Sequence, residues 1–84
     1  MNDIQTMLSE RTKTHGDFKN VAKVPQNIRD AMRVIPDRFC DMPEQRIEAL
    51  DAIAGKIARI ICGDNAFPDH WDGIASYAML GKQS

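Results

Sequence analysis

The densest chemistry in the sequence lies between Lys56 and Tyr77. The stretch reads Lys56-Ile-Ala-Arg59-Ile-Ile-Cys62-Gly63-Asp-Asn-Ala-Phe-Pro68-Asp69-His70-Trp71-Asp72-Gly73-Ile-Ala-Ser76-Tyr77. Two cations precede a glycine, and two carboxylates follow a proline. Cations and carboxylates brought to adjoining helix faces are what a phosphate-plus-metal site requires. An ordinary ion-paired helix hairpin would use the same residues.

Asp69 and Asp72 are three apart, so on a helix they share a face with Ser76. Glu48 and Asp51 repeat that spacing further upstream. If the two pairs converge across the turn, a cation must neutralise them. Four carboxylates suit Mg²⁺, which takes oxygen ligands and keeps several waters. The simpler account makes Asp69 a first-turn acid that suits the helix dipole and leaves Glu48 and Asp51 solvated. Lys56 and Arg59 should emerge at the edge of an apolar stripe. There they could grip phosphate, Arg59 as a fork and Lys56 as a point charge. Ion pairs to Asp51, Asp69 or Asp72 are the competing use.

His15 lies in Thr14-His15-Gly16-Asp17, where it could serve a turn or a ligand. Tyr77 could offer its ring or hydroxyl to a ligand, and Trp71 reads as core. There is no Walker A loop, no GxGxxG and no nucleophile elbow.

The elements that must position these residues read as helices. Residues 2 to 12 carry Ile4, Met7 and Leu8 on one side, with Arg11 near the end. A second helix should start at Asp17 or Phe18, with Pro25 inside it as a kink or a new start. Residues 36 to 41 read as a loop. Pro43 suits the first position of a long third helix whose stripe is Ile47, Leu50, Ala54, Ile57 and Ile61. Gly63 should stop it. A fourth helix should cover residues 69 to 80, with residues 81 to 84 a frayed tail. The expected fold is one all-α domain of about four helices. The wide apolar arc of the third helix predicts a partner subunit.

Eighty-four residues make one small domain, marginal on its own. A net charge of −1 argues against a nucleic-acid binder held by phosphate contacts, though not against a local basic pocket. Cys40 and Cys62 are too few for a disulfide framework and read as buried or half-buried thiols in a reducing compartment. The first residues lack the apolar run of a signal peptide, and no segment reaches the ~20 apolar residues of a membrane span, so the expectation is a cytoplasmic protein.

With the segments placed, a resemblance emerges. Glu10-Arg11-Thr-Lys-Thr14-His15-Gly16-Asp17-Phe18 resembles the opening signature of a family of small phage and prophage proteins of unassigned function. Asp51-Ala-Ile-Ala-Gly-Lys56-Ile-Ala-Arg59-Ile and Asp69-His-Trp71-Asp72-Gly73-Ile-Ala-Ser-Tyr77-Ala resemble its later signatures. That family in turn resembles the all-α nucleoside triphosphate pyrophosphohydrolases of the MazG-like and dimeric dUTPase-like kind. The resemblance implies a helical oligomer that binds nucleotide phosphates through Mg²⁺, with acids at Glu48 and Asp51. Aligned on Tyr77, the other metal-binding aspartate falls at Gly73 and its partner acid at His70. Asp69 and Asp72 each lie one residue, about 100° of helix, away. This departure implies a chain that holds a nucleotide without cleaving it, as in sequestering a nucleotide-derived immune signal of a host. The expected ligand-binding set is His15, Asp17, Lys56, Arg59, Asp69, Asp72 and Tyr77, with Glu48, Asp51, Asp69 and Asp72 as metal candidates. Mg²⁺-dependent pyrophosphohydrolysis and inhibition of a host protein are the alternatives.

Overall fold

The long helix carrying Lys56 and Arg59 is the element on which the others rest. The computed structural model describes residues 2–84 and arranges them as five helices: α1 (Asn2–His15), α2 (Phe18–Met32), α3 (Pro36–Cys40), α4 (Glu44–Cys62) and α5 (Pro68–Lys82). No strand occurs among the described residues. α5 packs most extensively on α4, α2 covers another side of α4, and α1 makes little contact with either α4 or α2.

The α4–α5 pair is antiparallel, as its short connection demands. Small residues set the approach. Gly81 lies against the Ala49 methyl, and Gly73 lies under the stem of Lys56. Ala49, Ala54 and Ala58 form the fully buried apolar core among the described residues. The isoleucines of α4 are only half-buried, except for Ile61, which is exposed.

Several expectations need correction. Residues 36 to 41 read as a loop, yet Pro36–Cys40 is helical, so there are five helices rather than about four. Pro36 supplies a preset φ at the first position. The Arg33 guanidinium then stacks on the Phe39 ring at 4.3 Å, which ties α3 to α2. Gly81 is not frayed: it is buried, and its carbonyl accepts a 3.1 Å hydrogen bond from Arg46 Nε. Pro43 is the N-cap of α4 rather than its first residue. α2 runs unbroken through Pro25, which is itself buried.

Trp71 is not core. It is 54% exposed, and its indole N–H donates to the Asn65 carbonyl at 2.8 Å. Its neighbour His70 takes the inward position, one residue of helical rotation away. Cys40 is exposed and Cys62 half-buried, both as free thiols. Among the described residues no helix is long and apolar enough to cross a membrane.

Candidate functional site

A backbone knot holds the last turn of α1 and the Gly16–Asp17 link, where a loop from Thr14 was expected, onto the end of α4. Gly16 has φ of +93°, a conformation that side chains disfavour. A Cβ on Gly16 would collide with the Cys62 backbone, and a Cβ on Gly63 would collide with the Thr14 and His15 backbones. Two glycines facing each other therefore let the chain segments touch. The Thr14 carbonyl accepts from the Asp64 backbone N–H at 2.9 Å. It also accepts from His70 Nε2 at 2.8 Å.

A carbonyl cannot donate, so Nε2 of His70 carries a proton. His70 is 1% exposed, and its Nδ1 is buried with no hydrogen-bond partner. The ring of His15 stands edge-on to that of His70, with centroids 5.0 Å apart. Phe67 closes the group, 4.9 Å from His70. His15 Nδ1 lies 2.7 Å from the Thr14 hydroxyl.

The charged neighbours that shift His15 are all basic, although the Asp17 carboxylate shares its pocket. Its pKa is lowered below 6.5, first by burial and then by Arg59, His70, Arg11 and Lys56. A concave pocket of about 340 Å³ opens here, lined by Arg11, Thr12, His15, Asp17, Phe18 and Arg59 among others. Asp17 is the N-cap of α2, but its carboxylate makes no capping hydrogen bond. The α2 N–H groups of Asn20 and Val21 go to the Asp17 backbone carbonyl instead. Among the described residues neither Lys56 nor Arg59 nor Arg11 has an ion-pair partner.

The expected residues therefore divide. His15, Asp17 and Arg59 share the pocket; Lys56 is not among its lining residues, and its stem lies against Gly73. Asp69 and Asp72 are exposed on α5. Asp51 is committed to α2: Arg33 Nη2 reaches its two carboxylate oxygens at 2.9 and 3.2 Å, and Arg29 Nε lies 3.8 Å away. Glu48 and Tyr77 line a separate groove with Glu44 and Leu80.

The four expected metal carboxylates do not converge within one chain. Lys56 opposite Gly73 and Ala49 opposite Gly81 fix the α4–α5 register. In that register Glu48 sits roughly 14 Å along the helix axis from Asp72, at about 1.5 Å per residue. Among the described residues no group of three or more His, Cys, Asp or Glu could hold a metal ion. Within one chain these four carboxylates do not form a Mg²⁺ donor set.

Gly73 explains part of this. A Cβ there would lie 2.6 Å from Lys56 Cε and 3.3 Å from Nζ. An acid at position 73 would thus occupy the space that the lysine takes. Two residues of the site went unread in the sequence. Arg11 is four residues before His15 on one helix face, a spacing that was available as a signal. His70 stood out only as the place of an expected acid, and nothing local says that it points inward.

No family model, no curated protein and no solved structure matches the chain.

Proposed function

We propose that the chain binds a nucleotide or nucleotide-derived ligand by its phosphates and holds it without hydrolysis. One observation carries the reading. Arg11 and Arg59 line a concave pocket with His15, Lys56 adds positive charge at His15, and no acid pairs with the three among the described residues. A protein has little reason to gather unpaired cations unless an anion joins them. Arg11 and Arg59 would fork onto phosphate oxygens. His15 would take a proton as the anion arrives, and the uncapped Asp17 carboxylate would accept from a sugar or base. The resemblance to phage proteins suits a role in withdrawing a host nucleotide signal from solution.

Pyrophosphohydrolysis is the less supported reading, because the carboxylates it needs lie apart. The test is incubation of the purified protein with linear and cyclic nucleotides in the presence of Mg²⁺. Protein and solution are then separated, the protein is heated, and both fractions are run by chromatography. A nucleotide depleted from solution and released intact supports the proposal. New monophosphate and pyrophosphate would make the chain an enzyme. If no nucleotide is depleted or cleaved, the reading fails.

A further inference from the structure

The pocket at His15 has two chemically different sides. Arg11 and Arg59 make one side cationic, while Leu8, Phe18 and Val21 make the other apolar. A bare phosphate would need only the first. The apolar side belongs to whatever the phosphate is attached to. The volume of about 340 Å³ lies at the small end of ligand pockets, roughly 300–1,000 Å³, and suits one nucleotide unit.

Phe18 is the first residue of α2, and its side chain stands 81% exposed at this pocket. A free aromatic ring beside guanidinium groups is a platform on which a flat base can stack. Stacking alone does not choose among bases, because each has a π-face.

Asp17 can choose. It is the one carboxylate among the residues lining the pocket. It is exposed, it does not cap α2, and among the described residues it pairs with no cation. Its charge repels phosphate, so it faces the other end of the ligand. An ionised carboxylate only accepts hydrogen bonds, and it has two oxygens with which to do so. Guanine presents two adjacent donors on one edge, N1–H and the N2 amine. Adenine and cytosine each set a lone pair beside their single amine. Uracil flanks its one N–H with two carbonyls. Those three bases would hold a lone pair against a carboxylate oxygen, and guanine would not.

We infer that the pocket selects guanine, with Phe18 stacking the base and Asp17 accepting from N1–H and the N2 amine. This specificity rests on the phosphate reading proposed above, in which Arg11 and Arg59 hold the other end of the nucleotide.

Calorimetric titration of the full chain with the monophosphates of guanosine, inosine and adenosine, and with ribose 5-phosphate, tests it. Inosine monophosphate lacks only the N2 amine and should bind about tenfold more weakly than guanosine monophosphate. Adenosine monophosphate should bind at least about a hundredfold more weakly. Asp17→Asn should lose guanosine monophosphate and gain xanthosine monophosphate, each by about tenfold, because the new amide donates to the C2 oxygen of xanthine. A gained ligand cannot come from a misfolded chain, and asparagine caps a helix as well as aspartate does. Phe18→Ala should weaken the three nucleotides alike, by about tenfold, and leave ribose 5-phosphate unchanged. Equal binding of the three nucleotides, or a preference for guanine that survives Asp17→Asn, overturns the guanine inference and leaves the phosphate reading standing. So does ribose 5-phosphate binding as tightly as guanosine monophosphate. If none of the four binds, both fail.

Discussion

Asp51 and His15 mark two places where this chain gathers cations, and the two are treated differently. Around Asp51, Arg29 and Arg33 come across from α2 and find a carboxylate. Phe39 caps the Arg33 guanidinium from the other side. The charges there are ion-paired, and their effect is to join α2, α3 and α4. Around His15, Arg11, Lys56 and Arg59 approach with no paired acid. The fold tolerates this repulsion because the backbone knot of Gly16 and Gly63 holds the loop in place. Satisfied charge ties helices together; the unpaired charge is what the proposed ligand would neutralise.

The sharpest way to break the contrast is to undo the knot. Gly16→Ala and Gly63→Ala should each cost on the order of 3 kcal/mol, Gly16 through its positive φ and a backbone collision, Gly63 through backbone collision alone. The melting temperature should fall by roughly 15 °C or more for a chain of this size. Gly55→Ala is the control. It lies within α4, and a Cβ there meets nothing within 4 Å. It should stabilise by about 0.5–1 kcal/mol through helix propensity. Thermal melts of the three variants decide it. Equal responses would mean that the two loop glycines carry no special load.

The second test separates the two cation groups by function. Arg59→Ala should weaken nucleotide binding by about 10- to 100-fold, the worth of one charge-assisted contact. Its melting temperature should barely move, because no ion pair is lost. Arg33→Ala should do the reverse: about 1 kcal/mol of stability lost and affinity unchanged. Calorimetric titration paired with chemical denaturation measures both. If Arg33→Ala costs affinity and Arg59→Ala costs stability, the assignment of roles is inverted.

Much of the fold could be read from helical spacing, and less of the site. The stripe on α4 and the turn signals at Gly16, Gly63 and Pro68 locate three of the four long helices closely. Pro25 left two readings open, and the helix continues through it, so no new helix starts there. The pairing of Asp51 with Arg33 spans eighteen residues and depends on where α2 lies across α4, which local pattern does not encode. Whether His70 or Trp71 faces inward turns on one step of helical rotation. Apolar character favours Trp71, but the double acceptor at the Thr14 carbonyl selects the histidine, which can donate to it. The expected convergence of carboxylates failed because antiparallel register, and not sequence spacing, decides which residues of α4 and α5 meet.

The smallest effect expected is on pH dependence, because it comes from one half-exposed ring. His15 titrates below its ordinary 6.5 in the folded chain, through burial and the neighbouring cations. The unfolded chain therefore binds the proton more readily. Stability should be complete above pH 6.5, decline as pH falls below it, and level off once the folded ring also protonates. Ligand binding should run the other way. A phosphate beside His15 offsets the surrounding positive charge and raises the ring's pKa, so binding takes up protons and strengthens as pH falls toward 6. His15→Gln should flatten both trends. Calorimetry in buffers of different ionisation enthalpy reads the proton uptake directly. If uptake persists in His15→Gln, the proton goes to another group, and the pairing of His15 with the ligand's phosphate is wrong even where binding itself survives.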